Sequence, residues 1–175
     1  MKSEASDAER VLRARARALA KAPESPPSSQ SLLHVLEFRL AQETYALEIR
    51  YVLEVGPFRD LTPLPGTPPF LLGIVNVRGR IVPVFDLRKL FDLPEKGLTD
   101  LHRIILVRDA ELELGLLADV ALGVKHIPAE SLQPSLPTLT GIRAEYLKGV
   151  THERLVVLDL ARILSDSRLI VSQDE

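Results

Sequence analysis

The stretch Gly73-Ile74-Val75-Asn76-Val77-Arg78-Gly79-Arg80-Ile81-Val82-Pro83-Val84-Phe85-Asp86 sets two apolar, β-branched runs on either side of an Arg-Gly pair. Residues 74–77 and 81–85 read as the two strands of a hairpin. Gly79 supplies the positive φ that a tight hairpin turn requires. On this reading Gly79 alone carries the backbone requirement of the turn. Asn or Asp would suit position 78 better than Arg. Arg78 is therefore either a solvated turn charge or a point of contact with a partner. Glu54 is a second charge in an unexpected place. It interrupts the apolar run Val52-Leu53-Glu54-Val55, where a carboxylate needs solvent or a cation. An Arg78–Glu54 pair would satisfy both.

Outward from the hairpin the same period of two continues. Residues 35–40, 45–49 and 52–55 read as three more strands before it. Between them and the hairpin, residues 61–70 (LTPLPGTPPF) carry four prolines and cannot form a central strand. A second series follows at 103–107, 113–117 and 120–125, near 146–151, and at 155–158. Dense short strands with little helix point to a mainly β chain built as small barrels.

The two series resemble each other. Residues 38–55 align without gaps on 107–124 when Tyr45 is set over Leu114, an offset of 69. Asp86 falls over Asp159 at an offset of 73, and Gly73 matches Gly149. An internal duplication giving two similar subdomains explains the ordered matches. Residues 32 to about 92, with part of the C-terminal end, are expected to form one barrel. Residues from about 100 to 150 are expected to form the core of the other. Whether strands are exchanged between them is open at this stage.

Composition narrows the function classes. The chain has 175 residues, 46% hydrophobic and 26% charged, enough for one globular domain with a real core. Lys and Arg number 22 against 24 Asp and Glu, so no global field gathers nucleic acid. Cysteine is absent, which removes disulfides and thiolate metal sites. No apolar run approaches a membrane span and no signal-like segment opens the chain, so a soluble cytoplasmic protein is the expectation. Residues 8–21 are rich in Ala, Leu and Arg and are expected to be helical, with a thin apolar stripe and loose attachment. A Pro/Ser linker follows to residue 31. The expected organisation is a helix and linker at 1–31, a domain at 32–166 and a tail at 167–175.

Candidate chemistry is sparse. Asp86 and Asp159 each end a strand before a short helical pattern, where an Asp caps free backbone N–H groups. His34 and His102 stand at corresponding strand starts. No two of His34, His102, His126 and His152 have the helical spacing of a zinc pair. No phosphate-binding loop, dinucleotide fingerprint or nucleophile elbow occurs. No catalytic residue, metal site or cofactor is expected. A small β-barrel that binds nucleic acid is the alternative reading, resting on the barrels and the basic N-terminal helix. A cryptic enzyme is the third.

The string G-I-V-N-V-R-G-R-I-V-P-V-F-D-L, with L-P-G-T-P-P-F-L-L before it and F-R-L-A-Q-E-T-Y-A-L-E-I-R-Y-V-L-E-V upstream, resembles the CheW family of bacterial chemotaxis coupling proteins. The resemblance spans about residues 32–165 and is looser in the second half. It implies two five-stranded SH3-like barrels around a shared core and no catalysis. It implies two partners: the cytoplasmic tip of a chemoreceptor and the regulatory domain of a CheA-type histidine kinase. It also implies a cytoplasmic location at membrane-associated receptor arrays, without direct membrane insertion. The family's N-x-R-G arginine matches Arg78 and its strand glutamate matches Glu54, with Val52 beside it. These three are the receptor-facing residues that the resemblance implies.

Overall fold

The computed structural model describes residues 10–13, 31–134 and 141–169. Residues 10–13 are an exposed helical turn (α1). The remainder of the helix expected over 8–21, the linker up to residue 30 and the tail from 170 lie outside the described residues. A chain division after Ser31 marks the start of the unit that carries all ten expected strands.

These are β1 (Leu32–Leu40), β2 (Glu43–Glu48), β3 (Val52–Pro57), β4 (Leu71–Val77) and β5 (Arg80–Phe85), then β6 (Arg103–Asp109), β7 (Leu112–Ala118), β8 (Val120–Pro128), β9 (Leu147–Val150) and β10 (Val156–Leu158). Short helices follow the strands: α2 (Leu87–Leu90), α3 (Ile142–Glu145) and α4 (Leu160–Ser165). The strands form two five-stranded sheets, in the orders β8-β1-β2-β10-β9 and β3-β6-β7-β5-β4. Moving every strand five places along the chain converts one order into the other. The parallel pairs agree in register as well. Val157 of β10 faces Ala46 of β2, and Val84 of β5 faces Gly115 of β7. Those are the partners that the offsets of 73 and 69 equate.

The barrel membership corrects the expected division of the chain. The hairpin β1–β2 joins β8–β10, and β3–β7 form the other barrel as one continuous stretch. The one-turn helix Ile49–Tyr51 leads the chain from one sheet to the other, and Asp119 alone separates β7 from β8. The exchange follows from β2 being apolar on both faces. Ala46 turns into the small barrel core with Val35, Ile127 and Val157. Tyr45 and Leu47 turn outward into the large core shared by the barrels. There Phe38, Tyr45, Phe91 and Tyr146 make a chain of ring contacts with centroids 5.9–6.3 Å apart. The second barrel has its own interior of Val75, Val82, Val84, Ile104 and Leu106.

Two local irregularities recur at the duplicated positions. The β3–β6 ladder slips between Val52 and Glu54, leaving Leu53 as the extra residue of a bulge. The β1–β8 ladder slips so that Glu37 faces Gly123 and Phe38 faces Ala121, leaving Leu122 as the extra residue. Leu53 and Leu122 are 69 positions apart, and both are exposed. Gly73 and Gly149 also play matched parts. Each precedes a residue that exchanges two backbone hydrogen bonds with a loop: Ile74 with Thr62, and Val150 with Gln133. A Cβ on Gly73 would lie 2.2 Å from the Thr62 carbonyl oxygen, and one on Gly149 would lie 2.7 Å from Leu132 Cβ.

Candidate protein-interaction site

β4 and β5 meet in a two-residue turn whose central residues are both left-handed, Arg78 at φ 52° and Gly79 at φ 84°. This is the primed hairpin turn that matches the twist of the flanking strands. Asn76 Oδ1 accepts a 2.8 Å hydrogen bond from the Gly79 amide and braces it. The expectation that Gly79 alone carries the backbone requirement is therefore corrected. Arg78 shares it, and an arginine held there costs roughly 1 kcal/mol relative to a glycine. The turn needs no arginine, yet it holds one in a costly conformation.

Arg78 Nη2 lies 3.1 Å from Glu54 Oε2, with the two side chains 78% and 37% exposed. At such exposure the pair adds at most about 1 kcal/mol to stability. Its effect is positional. β3 and β4 are the two outer strands of their sheet, and the pair spans the open side between them. Beneath it lies a depression of about 280 Å³ floored by Val75, Val77, Ile104 and Leu106. Exposed Leu53 and Val55 flank Glu54 on β3. The neighbouring Arg80 is committed elsewhere, to Glu113 on β7 at 2.5 Å.

The bulge at Leu53 decides what β3 presents. Val52 is opposite Val107 and packs on the shared core, whereas Glu54 is opposite Leu106 on the barrel side. Residues two apart on a regular strand share a face, so the bulge is what separates them. The structure thus brings Glu54 and Arg78 together and leaves Val52 half-buried behind them.

Asp86 and Asp159 sit at the N-termini of α2 and α4. Asp86 Oδ1 accepts from the Arg88 amide at 3.0 Å, and Asp159 Oδ1 accepts from the Arg162 amide at 3.2 Å. Each Asp amide donates at 2.7 Å to a carbonyl, of Phe70 and Tyr146 respectively. Asp86 does more than cap. It is fully buried and binds the Arg88 guanidinium through both oxygens, at 3.0 and 2.8 Å. Arg88 Nη1 also donates to Asp119 Oδ1 at 2.9 Å, and the other Asp119 oxygen accepts from the Ala41 amide at 2.6 Å. His102 Nε2 lies 3.0 Å from Asp119 Oδ1. Hydrogen bonding to Asp86 holds the Arg88 guanidinium above its ordinary pKa, against the opposing effect of burial. Sequence reasoning missed Arg88, because Leu-Arg-Lys-Leu reads as a solvated helical turn. Its partners Asp119 and His102 stand 31 and 14 residues away.

Comparison with known proteins places these features in context. The family model described as the CheW-like domain matches residues 34–168. Chemotaxis protein CheW of Treponema pallidum (strain Nichols) is 31% identical over 142 residues, covering 77% of this chain and 84% of that protein. Protein FrzA of Myxococcus xanthus is 31% identical over 137 residues, covering 75% and 84%. The crystal structure of scaffolding protein TtCheW from Thermoanaerobacter tengcongensis superposes with a TM-score of 0.66 at 34% identity, covering 73% of this chain and 84% of that one.

Proposed function

The chain belongs to the CheW family, and from that premise we propose that it couples chemoreceptors to a CheA-type histidine kinase as a non-catalytic chemotaxis adaptor. The cytoplasmic tip of a receptor docks at the Arg78–Glu54 site, and the kinase's regulatory domain binds elsewhere on the barrels. The observation that carries this reading is the Arg78–Glu54 pair itself. An exposed arginine in a costly backbone conformation is paired at 3.1 Å with a half-buried glutamate, and neither charge is needed for the turn or the strand. Val75, Val77, Ile104 and Leu106 floor the depression beside it, so the site offers a helical tip both a charge-assisted contact and aliphatic burial.

The protein acts in the cytoplasm and is recruited to receptors at the membrane. Among the described residues no helix is long and apolar enough to cross a membrane. The nucleic-acid-binding alternative finds no support. Every large hydrophobic exposed among the described residues is aliphatic, whereas single strands bind by stacking on aromatic rings.

Co-precipitation with a receptor tip fragment and, separately, with a CheA-type kinase tests the reading. Arg78→Ala should weaken receptor capture and leave kinase capture unchanged. Loss of neither, or of both equally, would contradict the site assignment.

A further inference from the structure

The molecule also brings together two histidines that are 92 positions apart in sequence. His34 of β1 and His126 of β8 face each other directly in the antiparallel ladder. Their ring centroids are 4.3 Å apart, with an interplanar angle of 65°. That is nearer than the separation of about 4.5–7 Å at which aromatic pairs usually settle. Both side chains are exposed, so their rings are free to rotate about the side-chain bonds.

We propose that His34 and His126 form a binding site for a divalent transition-metal ion of the Zn²⁺, Ni²⁺ and Cu²⁺ class. Imidazole nitrogens bind such ions at about 2.0–2.1 Å, so two ligands on adjacent coordination positions lie roughly 3 Å from each other. Facing positions on neighbouring strands bring the two rings into that range with side-chain rotation alone. The backbone ladder fixes the pair in advance, so the second imidazole binds at high effective concentration. The surroundings suit the metal. The next residue pairs on the same face are Leu32 with Pro128 and Leu36 with Val124, none of them cationic. Imidazole donors with no carboxylate among these neighbours favour zinc, nickel and copper over magnesium or calcium.

Two protein ligands leave the other coordination positions to water. The site is therefore weaker than a closed four-ligand structural centre, and it is open toward solvent. An ion held there ties the beginning of β1 to β8, the outer strand of its sheet. Binding to the folded chain alone then raises stability with metal concentration.

The test titrates the untagged full chain with zinc chloride and, separately, with nickel sulfate. Calorimetry gives the stoichiometry and affinity, and imidazole NMR signals identify the ligands. One ion per chain is expected, with the His34 and His126 signals shifting together. His34→Ala and His126→Ala should each weaken binding roughly 10²-fold, and His152→Ala should leave it unchanged. In chelator, all of these variants should unfold with the wild type, and only chains retaining both histidines should gain stability from zinc. Absence of saturable binding overturns the proposal. So does wild-type affinity in His34→Ala or His126→Ala, or shifts confined to His102 or His152.

Discussion

Arg88 on α2 donates to Asp119 Oδ1 at 2.9 Å, so a side chain at the end of the first repeat is held at the crossover between β7 and β8 in the second. Asp86 binds the same guanidinium from below, and the Ala41 amide completes Asp119 from the β1–β2 turn. Three parts of the chain thus meet on one buried cation.

Arg88→Ala should therefore be severe. It leaves the fully buried Asp86 carboxylate without its cation, which costs roughly 3–5 kcal/mol. The unfolding midpoint should fall by about 10 °C or more for a chain of this size. Arg88→Lys should recover only part, since one ammonium cannot serve both Asp86 oxygens and Asp119 together. Calorimetric unfolding of the two variants checks the ordering.

Gly73 combines a close approach with a positive φ of 152°, whereas Gly79 has a positive φ alone. Gly73→Ala places a Cβ 2.2 Å from the Thr62 oxygen, against backbone that cannot step aside. It should cost roughly 1–3 kcal/mol or more. Gly79 has open space around it, so Gly79→Ala should cost only the strain of its φ of 84°, about 1 kcal/mol. Denaturant midpoints that place Gly79→Ala below Gly73→Ala in stability would contradict this account of the two sites.

Acid should weaken the Glu48 contacts first and the C-terminal end only at lower pH. Hydrogen bonds from Arg168 and Tyr146 hold the Asp166 carboxyl well below its ordinary value of 3.8. Burial pushes the Glu48 carboxyl upward, but Lys148 and then Arg50 outweigh it and leave Glu48 below its ordinary 4.5. A carboxyl depressed in the folded state contributes stability that is complete above its unfolded pKa and lost as pH falls through the folded one. The unfolding midpoint should therefore be level near neutrality and decline once the pH drops below about 4.5. Asp166→Asn should flatten the lower part of that decline. An unaltered acid profile in Asp166→Asn would show that Asp166 contributes nothing to it.

Much of this structure can be read in the chain. The ten strands are legible because one face of each must be apolar, which writes a period of two. The duplication is legible because Leu53 and Leu122, or Gly73 and Gly149, do the same job in each copy. The Arg78–Glu54 pair is legible because each charge stands where its neighbours give it no structural reason to be. Barrel membership was not, since β2 is apolar on both faces and suits either sheet. Nor was the burial of Arg88, whose partners are far away in sequence. The left-handed φ of Arg78 was hidden because a turn glycine next to it seemed to suffice.

The central claim is that Arg78 is kept for a partner and not for the turn. Arg78→Asn separates the two most directly, because asparagine tolerates a left-handed φ better than arginine and removes the cation. Affinity for a receptor tip fragment and the unfolding midpoint should be measured together for the wild type, Arg78→Asn, Glu54→Gln and the double variant. The account predicts that Arg78→Asn weakens receptor binding by roughly 1–3 kcal/mol while its midpoint is unchanged or raised. The double variant should bind less weakly than the sum of the two single losses, because each side chain acts through the other. Receptor affinity equal to wild type in Arg78→Asn would contradict the claim and leave Arg78 as a solvated turn charge.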